Sequence, residues 1–198
     1  MRLEAIVLAA GAGTRFGGGK LLADYRGRPL LDHALDAALA APVDRVTAVI
    51  RPGDAAVAAL VAARPETRAS APFGAPLRTL AAPDAAEGLG ASLRAGIAAL
   101  DPATEGALVF LGDMPDVPHD LAGDLAAALS GGVEIAAPIH AGRRGHPVLF
   151  ARACFSALMA LTGDRGAQGL MAARAVALVE TDAPGVLFDV DRREDLAR

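Results

Sequence analysis

The chain has 198 residues, 53% of them apolar, and a net charge of −4, so it can bury the core of one globular domain and is not a disordered or broadly nucleic-acid-binding protein. With no Trp and one Tyr it offers few stacking platforms for single strands, and no apolar run reaches the ~18–20 residues of a membrane span. Cys154 stands alone, which rules out an internal disulfide, suits a reducing compartment and leads us to expect a cytoplasmic protein that binds neither nucleic acid nor membrane.

In chain order, Leu3–Ala10 is an apolar run that reads as a buried strand, starting so early that no signal peptide is visible. Pro29 suits a first helical position, and Leu30–Ala41 has helical apolar spacing. Arg45–Ile50 reads as a strand and Asp54–Ala63 as an alanine-rich helix. Residues 64–83 carry four prolines, so they are expected to be mostly loop, with a strand at Leu77–Leu80. Ser92–Leu100 reads as a helix, Ala107–Leu111 as a short strand buried on both faces, and Pro118–Leu129 as a helix. Val133–Pro138 and Pro147–Phe150 are strands around the polar loop Ala141–His146. Helices follow at Ala151–Leu161, where Cys154 is a small buried residue, and at Ala167–Arg174. Val176–Glu180 and Val186–Val190 close as strands, and Arg192–Ala197 as a helix. This alternation predicts an α/β domain spanning 1–198, an open and mainly parallel (mixed) sheet between two helical layers. In such sheets, ligands bind beyond the carboxyl ends of the strands.

One such end carries Leu8-Ala9-Ala10-Gly11-Ala12-Gly13-Thr14-Arg15-Phe16-Gly17-Gly18-Gly19-Lys20, with five glycines and two cations. Glycines let backbone N–H groups close on a ligand, and Arg15 and Lys20 can neutralise phosphate charge. The Walker A pattern fails, because Leu21 follows Gly19-Lys20 and Thr14 stands where its first glycine belongs. The dinucleotide fingerprint fails at Phe16. A plain flexible turn would not need both cations beside so many glycines.

Asp113, in Leu111-Gly112-Asp113-Met114-Pro115, follows the apolar central strand and could hold Mg²⁺ or serve as a turn aspartate. Asp189 and Asp191 alternate onto one face; Asp191 opens a stretch shaped like a capping box, which leaves Asp189 for a metal. Glu87 to Gly96 is a glycine turn entering a helix, where Ser92 is either an N-cap or a ligand contact. His146, in Arg143-Arg144-Gly145-His146-Pro147, could donate to a substrate oxygen or cap the turn. Thr162-Gly163-Asp164-Arg165-Gly166 is a charged loop in which Asp164 could be a helix cap.

The motif L-A-A-G-x-G-T-R-F-G-x-x-K resembles the signature of nucleotidyltransferases that include the molybdenum cofactor cytidylyl- and guanylyltransferases; sugar-phosphate and methylerythritol-phosphate nucleotidyltransferases share its general form. The resemblance runs from Ile6 to Leu196 through five motifs in family order. It implies a Rossmann-like three-layer fold, an NTP triphosphate wrapped by Gly11, Gly13 and Thr14, and phosphate charge held by Arg15 and Lys20. L-G-D-M-P and F-D-V-D-x-x-E-D-L resemble the family's metal motifs, implying Mg²⁺ on Asp113 and Asp189, although Arg192-Arg193 replaces the usual Thr-Pro. The segment G-x-x-x-S-L-R-A-G implies a nucleobase contact by Ser92, a floor shaped by Gly88 and Gly90, and an opposite wall from the backbone of Leu8, Ala9 and Ala10. R-G-H-P-V-L-F and L-T-G-D-R-G-A are most similar to the cytidylyltransferase branch, which implies a phosphorylated pterin bound by His146, Asp164 and Arg165. The expected reaction is transfer of CMP from CTP to the phosphate of the molybdopterin cofactor, the product passing to a molybdoenzyme or its chaperone. The alternatives are a guanylyltransferase of that cofactor, a nucleotidyltransferase for another phosphate such as a sugar phosphate, and a non-catalytic partner that binds nucleotide or cofactor and passes it to an oxidoreductase.

Overall fold

The computed structural model describes residues 1–64, 74–129, 132–163 and 166–198. The expected site residues Asp164 and Arg165, and part of the expected loop 64–83, lie outside them.

β1 (Leu3–Ala9) is buried at every position because it is flanked on both sides within the sheet and covered on both faces. Its period-two alternation divides the core. Leu3, Ala5, Val7 and Ala9 pack with α1 (Leu30–Ala40), α2 (Ala55–Ala62) and α4 (Leu121–Ala128), whereas Ile6 and Leu8 pack with α3 (Leu89–Ala98) and α5 (Phe155–Met159). The other strands are β2 (Asp24–Tyr25), β3 (Arg28–Pro29), β4 (Arg45–Ile50), β5 (Leu77–Ala81), β6 (Gly106–Leu111), β7 (Ile135–His140), β8 (Arg143–Arg144), β9 (Val148–Ala151) and β10 (Val176–Glu180), and α6 is Gln168–Ala173. The sheet runs β10-β7-β9-β6-β1-β4-β5, with β8 on β7. Pairing is parallel for β1 with β4 and β6, for β4 with β5 and for β10 with β7, while β9 is antiparallel to both neighbours. The sheet is therefore the expected mixed, mainly parallel one between two helical layers. Strand order reverses at β1 and β6, which opens a crevice at their carboxyl ends.

Several local expectations are corrected. Val186–Val190 is not a strand: Pro184–Leu187 forms a 3-10 turn, and the Val186 carbonyl accepts from the His146 amide at 2.9 Å instead of joining a ladder. Ala151 closes β9, a 3-10 turn holds Arg152–Cys154, and only Phe155–Met159 is α-helical; Cys154 is buried as expected. Pro29 is the N-cap position of α1 and also ends β3, rather than being the first helical residue. The β2–β3 hairpin was not foreseen. Among the described residues no helix is long and apolar enough to cross a membrane.

Candidate active site

The glycine loop folds around one carbonyl. The amides of Phe16, Gly17 and Gly18 all donate to the Gly13 oxygen, each at 3.1 Å. Gly13 has φ +58°, and a Cβ there would lie 3.2 Å from the Lys20 Cβ, so the loop needs glycine to bring Lys20 back over the end of β1. At the end of β6, the Gly112 amide donates to the Leu8 carbonyl at 2.9 Å, and a Cβ on Gly112 would meet that oxygen at 3.1 Å. This close approach sets Asp113 beside the glycine loop.

Charge converges there. Lys20 Nζ lies 2.6 Å from Asp113 Oδ2 and 3.7 Å from Asp191 Oδ1, while Arg15 Nη1 lies 3.2 Å from Asp191 Oδ2. Lys20 is only 12% exposed and Arg15 is 79% exposed, so one cation is built into the floor and the other reaches into solvent. The segment carrying Asp189 and Asp191 is tied down by the Val190 amide, which donates to the Asp113 carbonyl at 3.0 Å. Burial, then the negative charges of Asp191 and Asp113, raise the Asp189 pKa above the ordinary carboxylate value. That mutual repulsion is what a bound cation relieves. Among the described residues no three His, Cys, Asp or Glu side chains form a metal group. The donor set suits Mg²⁺, which takes one or two carboxylates and completes its shell with phosphate and water.

A crevice of about 640 Å³ opens above this floor. Leu8, Ala9, Ala10 and Gly11 form one wall, Gly88, Leu89 and Ser92 another, with Lys20 and Asp113 at the base. A smaller hollow of about 220 Å³ lies among Gly13, Thr14, Arg15, Lys20 and Asp191.

Three expected roles change, and the capping alternative for Ser92 falls away. Asp191 is not a helix cap: Asp195 Oδ2 accepts from the Asp191 and Arg192 amides at 2.9 and 2.7 Å, which frees the Asp191 carboxylate to face Lys20 and Arg15. Ser92 is not an N-cap either, since α3 begins at Leu89 with Gly88 at the cap position; Ser92 is a buried wall residue one turn in. Gly90 does not line the crevice. Its amide donates to the Gly163 carbonyl at 3.2 Å, and a Cβ would lie 2.7 Å from that oxygen, so it seats α3 on the 161–163 loop. His146 is not among the residues that line the crevice. Its Nδ1 is buried without a partner. Burial lowers its pKa, against a hydrogen bond to the Val109 backbone and the charge of Asp113, which raise it. Arg51 was missed: it lines the crevice and is held by Asp54 at 3.0 Å. Its position just beyond β4, the strand beside β1, was the available signal.

Residues 5–179 match the MobA-like NTP transferase domain. The chain is 36% identical over 115 residues to the bifunctional protein GlmU of Sorangium cellulosum (strain So ce56), a match covering 57% of this chain and 23% of that protein, so the chain spans about a quarter of the curated relative's length. The crystal structure of Rv0371c from Mycobacterium tuberculosis H37Rv is 30% identical with a TM-score of 0.79, covering 100% of this chain and 97% of that one. Its complex with manganese is 27% identical with a TM-score of 0.76, at the same coverage of 100% and 97%. Molybdopterin-guanine dinucleotide biosynthesis protein A from Archaeoglobus fulgidus shares the fold, with a TM-score of 0.70 at 19% identity over 98% of this chain and 95% of that one.

Proposed function

The chain belongs to the MobA-like NTP transferase domain family, and from that premise we propose that residues 1–198 form one nucleotidyltransferase domain that transfers CMP from CTP to the phosphate of the molybdopterin cofactor, releasing pyrophosphate. The observation that carries the nucleotidyl-transfer reading is the Lys20 ammonium within reach of both Asp113 and Asp191 at the base of the crevice. The choice of CTP and of a phosphorylated pterin rests on the sequence motifs around His146 and Thr162–Ala167.

In this reading, Leu8 to Ala10 and Ser92 hold the nucleoside, and Gly88 leaves room for the base. Gly11, Gly13 and Thr14 follow the triphosphate, with Arg15 and Lys20 neutralising the charge that grows on pyrophosphate as it leaves. An oxygen of the acceptor phosphate attacks the α-phosphorus as the bond to the β-phosphate oxygen breaks. That nucleophile is already ionised at neutral pH, so the site works by positioning and charge rather than by a general base. Asp113 and Asp189 would hold Mg²⁺, which when bound supplies further charge neutralisation. The manganese complex of Rv0371c supports a divalent ion here. His146, with Asp164 and Arg165 expected in the neighbouring loop, is assigned to binding the acceptor, and the product would pass to a molybdoenzyme or its chaperone. The second reading is GMP transfer to the same cofactor, prompted by the name of the Archaeoglobus fulgidus neighbour.

Thermal unfolding with CTP, GTP, ATP and UTP, with and without Mg²⁺, tests the nucleotide. A ligand at ~100 times its Kd adds about 2.7 kcal/mol. The Mg²⁺-dependent shift is expected to be largest with CTP; a larger shift with GTP would move the assignment to the second reading.

A further inference from the structure

Lys20, Asp113 and the Asp189–Asp191 segment come from three separate parts of the chain, and one side-chain cluster, built on the buried Tyr25, touches all three parts. Tyr25, the chain's only tyrosine, is fully buried. Its phenol donates to Asp116 Oδ2 at 2.9 Å. Arg26 reaches the same carboxylate, 3.0 Å from Oδ1, and its guanidinium lies 4.8 Å from the centre of the Tyr25 ring. Arg26 and Gly27 form the two-residue loop of the β2–β3 hairpin with φ of +52° and +83°. A positive φ is costly for arginine, and such strain persists where surrounding contacts fix it. Here the contacts are those to Asp116.

Asp116 lies three residues beyond Asp113. Its side chain holds the hairpin that follows Lys20. Its main chain lies close against the C-terminal segment, since a Cβ on Gly185 would lie 1.9 Å from the Asp116 carbonyl oxygen. Phe188 packs 6.4 Å from the Tyr25 ring, and Val190 then bonds to the Asp113 carbonyl at 3.0 Å. From these contacts we infer that Asp116, through Tyr25 and Arg26, is a positioning residue that fixes the spacing of Asp113 and Asp189, and thereby the affinity of the site for a divalent cation. The inference rests on the proposed reading of those carboxylates as metal ligands.

A purely structural cluster would lower stability when cut but leave metal affinity in the folded protein unchanged. Asp116→Asn keeps the shape and an acceptor for the phenol while removing the charge that holds Arg26. Tyr25→Phe removes the phenol bond alone. The test is Mn²⁺ titration of full-length parent and variants by electron paramagnetic resonance without nucleotide, at a temperature where circular dichroism shows each to be folded. Asp116→Asn is expected to weaken Mn²⁺ binding about 10-fold, the lower end of the loss seen when residues behind metal ligands are changed, with Tyr25→Phe weakening it in the same direction by less. A Kd within about twofold of the parent in both variants, whatever the change in Tm, would overturn the positioning role and leave the metal reading standing. A parent that binds no Mn²⁺ would overturn both.

Discussion

Replacing Lys20 with methionine should tighten divalent-metal binding even as it damages turnover. Lys20 is itself a cation on Asp113, 2.6 Å from Oδ2, so it competes with a metal ion for that oxygen. At this separation, with an effective dielectric of about 20, the gross attraction is about 6 kcal/mol. Desolvation of an ammonium that is 12% exposed cancels most of it, leaving the ~1.5–3 kcal/mol of a hydrogen bond to a charged group. An entering metal must give up that amount to displace Lys20, although the ammonium recovers part by moving toward Asp191, 3.7 Å away. The lower bound therefore applies, and Lys20→Met should bind Mn²⁺ about 10-fold more tightly without nucleotide. Competition between Mn²⁺ and Mg²⁺, followed by electron paramagnetic resonance, reads this directly. Pyrophosphate release should fall in the same variant, because the leaving group loses its buried countercharge. Unchanged or weaker Mn²⁺ binding would refute the idea that Lys20 and the metal share Asp113.

Other perturbations separate chemistry from scaffold. Asp113→Asn should keep the parent's circular dichroism and lose at least ~100-fold in turnover; near-parental rates would remove Asp113 from the site. Gly185→Ala drives a Cβ into the Asp116 carbonyl oxygen, 1.9 Å away, and should cost about 1–3 kcal/mol; an unchanged urea midpoint would mean that the C-terminal segment is not pinned there. Asp36 supplies a pH test of the scaffold. Burial alone would raise its pKa, but a hydrogen bond from Arg28 and the charge and hydrogen bond of Arg64 together hold it below the ordinary value. A lowered folded-state pKa gives stability that is full above the unfolded value and is lost as pH falls through the folded one. Urea midpoints measured from about pH 6 to about pH 3 should therefore fall less steeply in Asp36→Asn than in the parent, and parallel curves would contradict the assignment.

The sheet was legible because its strands are apolar runs of ordinary length. β4 lies where Arg45–Ile50 was read, β10 matches Val176–Glu180, and β1 stops one residue short of Ala10. The β2–β3 hairpin was not, since two-residue strands carry no period and its loop uses arginine where Asn or Gly is the usual signal. The glycine loop and Asp113 could be placed from sequence because a strand end and a glycine run imply a crevice. Asp191 was misplaced because two acidic residues could cap the same turn, and spacing could not show that Asp195 does so. Gly90 matches a motif, but its position is set by packing against Gly163, and His146, also within a motif, lies outside the crevice lining with its Nδ1 buried. Such long-range contacts leave no local pattern.

The central claim is nucleotidyl transfer to a phosphorylated pterin. Incubating the full chain with molybdopterin cofactor, Mg²⁺ and each NTP in turn, then weighing the products by mass spectrometry alongside a pyrophosphate assay, tests it most directly. The expected products are the cytosine dinucleotide of the cofactor and matching pyrophosphate, with CTP preferred. Pyrophosphate formed only when a different phosphate acceptor is supplied would contradict the pterin assignment, and none formed with any NTP and acceptor would contradict nucleotidyl transfer itself.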